Sequence, residues 1–237
     1  MKKAALVIVL LYLLLFVALT GPVLVTCFYP ELKISSVIDV YASWVYWLWI
    51  AIMLLSEIAL LIVPVKIESR RPVGRRTIWM PIIASGFLMG CLLLGLLLSL
   101  LEFFQHDKGK QWEGSGVLYA SLLLWITWSI VFGRRARGTP PRDLVNDQSR
   151  LLNTGSILTF LIAVPTHIVV RQRHECCADL VTFVGIVFGL AVMFLSFGPG
   201  VFFLYVERWK RLHPALDRVA HSDELREQLT DKLEPTA

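Results

Sequence analysis

Residues 44–65 read WVYWLWIAIMLLSEIALLIVPV, an apolar run in which Glu57 is the only charged side chain. The hydrocarbon core of a bilayer is about 30 Å thick, and about 20 apolar helical residues are needed to cross it. Backbone N–H and C=O groups in lipid must be paired within their own segment, which a helix achieves. The run therefore predicts a transmembrane helix.

Similar apolar runs recur along the whole chain. Of its 237 residues, 56% are hydrophobic and 17% are charged, whereas soluble domains have about 45–50% and about 25%. This composition excludes a soluble domain, a disordered chain, a collagen and a disulfide-dense secreted scaffold. We predict an all-α bundle of six transmembrane helices in residues 1–206, at about 4–28, 44–65, 80–104, 117–132, 151–170 and 180–206.

Lysine and arginine residues predict the orientation, because they are enriched in the cytoplasmic segments of membrane proteins. If both termini lie in the cytoplasm, 18 of the 23 basic residues fall on the cytoplasmic side. We therefore predict cytoplasmic termini in a multi-pass protein of the bacterial cytoplasmic (inner) membrane. The expected partners are the lipid bilayer and anionic lipid headgroups at the inner loops. Because the basic residues belong to loops between apolar runs, we expect no nucleic acid partner.

The first apolar run has an alternative interpretation. It follows Lys2 and Lys3, so it is also compatible with a secretory signal peptide, or with a lipoprotein signal that is cleaved before Cys27. The run has roughly 25 residues, whereas the core of a signal peptide has about 7–15. This length favours a retained membrane helix.

The chain changes character after the last apolar run. Residues 207–237 have mixed charge and form a predicted cytoplasmic tail. Within the tail, Leu225, Leu229 and Leu233 recur every four residues. This spacing predicts a short C-terminal amphipathic helix that lies on the membrane surface or on the inner loops.

The predicted orientation collects cysteine and histidine residues on the outer face. The candidate metal or disulfide residues are Cys27, His106, His167, His174, Cys176 and Cys177. A structural disulfide from Cys27 to Cys176 or Cys177 suits an oxidising exterior. A bond between the adjacent Cys176 and Cys177 would be strained and easily reduced, as in a redox pair. Two thiolates with a histidine would instead suit Zn or Cu(I).

The last third of the chain combines His167, the Cys176–Cys177 pair and Phe197-Gly198-Pro199-Gly200. This pattern resembles a family of uncharacterised bacterial polytopic membrane proteins, and the resemblance implies no known activity. The paired cysteines alone are similar to those of mercury-transport membrane proteins. Those proteins carry the pair inside an early span of a smaller chain.

Two of the later apolar runs contain glycine pairs, and the last one also contains a proline. Residues 86–90 and 185–189 each begin and end with glycine, and this spacing predicts close approach of helix backbones. The segment Gly198-Pro199-Gly200 removes one backbone donor and adds two flexible residues, so we predict a kink, a break or a hinge in the last span.

Glu57 is the intramembrane acid of the predicted bundle. An ionisable residue within a membrane span indicates a functional site by default, because its burial is costly. At its depth the other spans offer Tyr12, Thr127, Thr159 and Ser196. We expect Glu57 to be protonated and hydrogen-bonded within the bundle, and proton transport is the alternative.

Several catalytic motifs are missing from the sequence: a glycine-rich phosphate loop, the zinc-protease helix motif and the Gly-x-Ser-x-Gly elbow. We therefore favour a non-enzymatic accessory or scaffold protein with a Cys/His-bearing outer face. One alternative is a protein that binds or transports a metal or a thiol ligand. The other is a membrane redox enzyme that binds haem or quinone, with His106 and His167 as candidate axial ligands.

Overall fold

The computed structural model describes residues 2–28, 34–68, 73, 75–104, 114–172 and 178–212. The regular elements in these residues are helices, which confirms the predicted all-α class. The helices in this part of the chain are α1 (Lys2–Phe28), α2 (Ile34–Ala42), α3 (Trp44–Glu68), α4 (Arg75–Phe104), α5 (Gly114–Arg135), α6 (Pro141–Gln172) and α7 (Ala178–Leu212).

Five of these helices have the length and composition of transmembrane segments in a membrane protein. They are α3, α4, α5, α6 and α7. In α1, the side chains are described only as far as Thr20, and the apolar stretch Ala5–Thr20 is shorter than a full span. Five of the six predicted spans are therefore confirmed by length and composition, and the first stays a prediction.

The short helix α2 lies between the first two predicted spans and was not predicted. The Ser43 N–H donates to the Val40 carbonyl at 3.1 Å where the chain turns into α3. The Tyr41 hydroxyl donates to the Val17 carbonyl of α1 at 2.9 Å, so α2 packs against α1. With nine residues, α2 is too short to be found as a membrane-spanning run.

Helices α6 and α7 both extend past the predicted bounds. α6 begins at Pro141 rather than near residue 151, and its first turns bury Leu144 and Val145. These turns are amphipathic, so they pack on the bundle without forming the continuous apolar run that indicates a span. α7 continues to Leu212, beyond the boundary predicted between residues 206 and 207. The predicted amphipathic helix of the tail lies outside the described residues.

Helix α4 is the centre of the bundle and packs against α3, α5, α6 and α7. A Cβ atom built on Gly95 would lie 2.7 Å from the Cα atom of Gly185 in α7. A Cβ atom on Gly86 would lie 2.9 Å from the backbone nitrogen of Ser129 in α5. These distances confirm the close helix approach that the glycine spacing predicts, and they hold α5 and α7 tightly against α4.

Basic side chains join the ends of α3, α4 and α7 at one end of the bundle. Lys66 Nζ donates to Thr77 Oγ1 at 2.7 Å and so joins the end of α3 to the start of α4. Lys210 Nζ lies 2.8 Å from the Glu68 carboxylate and joins the end of α7 to the end of α3. We call this the basic end. Segments predicted to be cytoplasmic therefore lie together, whereas the side of the membrane stays a prediction.

Candidate functional site

Glu57 lies on the face of α3 that is turned toward the bundle interior. Met53, Glu57, Leu60 and Leu61 are three or four residues apart, so they share one side of the helix. Glu57 is 1% exposed, and its apolar neighbours on this face are buried as well. Glu57 is therefore buried because its position in the helical repeat places it on the same buried face as these apolar neighbours.

A small cavity lies beside Glu57 and is shared by α1, α3 and α7. Its volume is about 20 Å³, and a volume of roughly 10–15 Å³ is enough to hold a water molecule. Tyr12 of α1 and Phe194 and Leu195 of α7 line it together with Glu57. The cavity has room for a water molecule and is too small for an organic ligand.

Gly198 of α7 is the second part of the site. A Cβ atom built on Gly198 would lie 2.7 Å from Glu57 Cδ and would overlap Glu57 Oε1. The carboxyl group therefore packs directly against the α7 backbone, and it would have to move to make room for a side chain at position 198. Both residues stand out in the sequence, but their contact could not be predicted from it, because the contact depends on how α3 and α7 pack.

Pro199 follows this contact within a continuous helix. α7 is helical from Ala178 to Leu212, so it is not broken at this segment, and a hinge role for Gly198, Pro199 and Gly200 stays a prediction. Pro199 has no N–H, so the carbonyl of Leu195 loses its usual helical donor. Leu195 also lines the cavity. The site thus combines a buried carboxyl group with a backbone carbonyl that cannot accept the usual hydrogen bond from residue 199.

The hydrogen bonding of Glu57 differs from the expectation. Neither carboxyl oxygen has a hydrogen-bond partner among the described residues. Of the polar residues expected at this depth, Tyr12 lines the same cavity. Thr159 and Ser196 instead donate to carbonyls of their own helices, each at 2.9 Å. The cavity is therefore the space from which Glu57 can gain a partner.

His167 is buried at the contact between α6 and α7, toward the end opposite the basic end. Its Nδ1 atom lies 2.8 Å from Thr182 Oγ1. Its ring centroid lies 6.3 Å from that of Phe183. These contacts are those of a residue that joins two helices. Within the described ranges, no group of three or more His, Cys, Asp or Glu residues is placed to hold a metal.

The other candidates on the outer face lie largely beyond the described residues. His106, His174, Cys176 and Cys177 are among the residues that the structure does not describe. Cys27 belongs to the last turn of α1, but its side chain is not described. The shared outer face, the disulfide, the redox pair and the Zn or Cu(I) site therefore stay predictions.

No family model matches this chain, and no curated protein or solved structure is detectably similar to it. The roles of Glu57, Gly198 and His167 are therefore inferred from their geometry and chemistry.

Proposed function

We propose that this protein is a non-enzymatic accessory or scaffold protein of the bacterial cytoplasmic membrane, with six spans and both termini in the cytoplasm. The length of α1 supports a count of six spans with α1 as the first, because 27 residues at about 1.5 Å per residue give a helix long enough to cross a bilayer. α1 also packs against α3 and α7 in the same bundle. Lipid is the partner that this architecture requires.

The observation that carries the scaffold role is the close packing of the bundle interior. At the contact between Gly95 and Gly185, α4 and α7 approach backbone to backbone. The cavity beside Glu57 is about 20 Å³, against about 300–1,000 Å³ for typical ligand pockets. A closely packed bundle of this kind presents rigid surfaces to a partner, as an accessory subunit does.

The outer-face residues provide the test of this role against the two alternatives. Native and denaturing mass spectrometry of the purified protein measures bound metal and the linkage of Cys27, Cys176 and Cys177. We expect free or disulfide-bonded thiols and no bound metal. Stoichiometric metal that is lost in a C176S/C177S variant would contradict the proposal and indicate a metal-binding or transport protein. A Soret band in the optical spectrum would contradict it and indicate a haem-binding redox enzyme.

The site at Glu57 favours a second candidate function, the transfer of protons through the bundle. Both carboxyl oxygens lack a partner among the described residues, and the adjoining cavity is large enough for a water molecule. An intramembrane carboxyl group beside water is the arrangement that proton relays use. Tyr12 is the other titratable residue that lines this cavity.

Proton flux into liposomes separates the two candidates. The protein is reconstituted with a pH-sensitive dye inside, and a potassium gradient with valinomycin supplies the driving force. For a scaffold, wild type and E57Q should match empty liposomes. Flux in the wild type that is lost in a folded E57Q variant would overturn the scaffold role and establish proton transfer.

A further inference from the structure

A second feature is a groove between α4 and α5 on the side of the bundle that faces away from its interior. We call it the α4–α5 groove. Its cavity is about 500 Å³, which is within the range of sites for small ligands. It is lined by Trp79 and Ile83 of α4, by Ile126, Ile130 and Arg134 of α5, and by Arg137 in the turn that follows α5. The groove is therefore apolar along most of its length and carries two guanidinium groups at one end.

Contacts between the two helices fix the shape of the groove. Trp125 Nε1 donates to the Ile83 carbonyl at 3.1 Å and holds the indole across the gap. A Cβ atom on Gly133 would lie 3.5 Å from the Trp79 ring, an ordinary van der Waals distance, so the ring packs beside α5 at this residue. Trp79 lies in the second turn of α4, close to the basic end, and it contacts Gly133 near the end of α5. The end of α5 is therefore also at the basic end. The groove thus runs from the middle of the span to the basic end.

The two arginine side chains of the groove are available for a ligand. Arg134 and Arg137 are exposed and form no ion pair with any described residue. Arg135, by contrast, pairs with Asp147 at 3.3 Å. Ser129 also lines the groove, one turn deeper than Gly133, but its hydroxyl oxygen is buried against Gly86 of α4. Two positive charges therefore lie at one end of an apolar groove.

We propose that the α4–α5 groove binds one anionic phospholipid. The phosphate is held by Arg134 and Arg137, whose planar guanidinium groups suit phosphate oxygens. One acyl chain lies along Ile83, Ile126 and Ile130. The inference rests on the proposed insertion of the bundle, with its basic end at the headgroups.

Two observations favour a lipid over another occupant. Only 6% of the spanning window of α5 is buried inside the bundle, so most of this helix faces its surroundings. In a membrane those surroundings are lipid, and basic pockets between spans at the cytoplasmic side are typical sites for anionic headgroups. A second copy in the same orientation would bring its own basic end to this position, where like charges would repel.

Native mass spectrometry in detergent, with added phosphatidylglycerol or phosphatidylcholine of identical acyl chains, tests the site. We expect the wild type to prefer phosphatidylglycerol and to bind one molecule with high affinity. An R134Q/R137Q variant should lose about 30-fold in affinity for phosphatidylglycerol. This loss corresponds to about 2 kcal/mol of binding free energy, or about 1 kcal/mol for each arginine that is removed. The matched control is R135Q/R150Q, which removes two positive charges near the basic end but outside the groove and should keep the preference.

Three results would overturn the proposal. They are equal binding of the two lipids by the wild type, an equal loss in both double variants, and a lipid-free dimer that R134Q/R137Q does not dissociate. The filling variant I130W gives a second arm: it leaves both arginines in place and should weaken the binding of both lipids. Failure of these tests is distinguishable from failure of the scaffold role, because metal content and thiol linkage are measured separately.

Discussion

The carboxyl group of Glu57 occupies the space that a side chain at position 198 would need. Any side chain at position 198 would therefore force this carboxyl group to move, while Pro199 beside it removes a helical donor. The two glycines of the segment differ: a Cβ atom on Gly200 would meet no atom within 4 Å. This difference gives an internal comparison within three residues of one helix.

We expect G198A to destabilise the folded bundle by about 1–3 kcal/mol, because overpacking a buried contact forces neighbouring atoms to shift. G200A is the matched control and should be neutral or slightly stabilising, since alanine is the better helix former. The measurement is thermal unfolding in detergent, followed by circular dichroism. The double variant G198A/E57A should regain stability relative to G198A. Equal effects of G198A and G200A would contradict the contact between Glu57 and Gly198.

At the scale of helices, the bundle depends on how closely α4 approaches its neighbours. Ser99 donates to the carbonyl of Gly95 in its own helix at 2.8 Å, so its hydroxyl is satisfied where α4 meets α7. A Cβ atom on Gly185 would lie 2.6 Å from this hydroxyl and 3.1 Å from Ala163 of α6. Gly185 therefore sits where α4, α6 and α7 converge. In a membrane, such backbone contact replaces the hydrophobic driving force between helices.

We expect G185V to lower the stability of the bundle by more than G198A, because its added atoms meet two helices at once. The predicted loss is at least about 2 kcal/mol, measured by thermal unfolding in detergent. G116V is the control: a Cβ atom there meets nothing within 4 Å, at the exposed start of α5. A G185V protein as stable as G116V would show that α4 and α7 do not meet at this residue.

For the whole molecule, the position of α1 decides the number of spans. α1 contributes Ile8 and Phe16 to the buried core. Thr20 of α1 lies 3.0 Å from the Tyr46 hydroxyl of α3. These contacts hold α1 along the bundle on both sides of its middle, as expected for a helix that crosses with the others.

We expect reporters placed before Lys2 and after Leu212 to lie on the same, cytoplasmic side. Alkaline phosphatase should be inactive at both positions, and a fluorescent protein should be bright at both. A third reporter after Phe104, at the end of α4 opposite the basic end, should give the reverse result and serves as the control. If the reporter before Lys2 lay on the outside and the other two gave the expected results, the protein would have five spans, and α1 would not cross the membrane.

The sequence by itself determined the helical class, the confirmed apolar spans and the buried acid, because hydropathy depends only on which residues follow one another. It also indicated the glycines at which backbones meet, since their spacing places them on one helix face. The amphipathic start of α6 at Pro141 was hidden, because its burial comes from neighbouring helices.

Only the tertiary structure decided that Glu57 meets Gly198, that His167 joins α6 to α7, and that Trp79 and Arg134 border one groove. Each of these relations links residues far apart in the chain. Side-chain spacing fixes which face of a helix a residue occupies, but the rotation and offset of two packed helices fix what that face touches. Those quantities are set by the packing of the whole bundle.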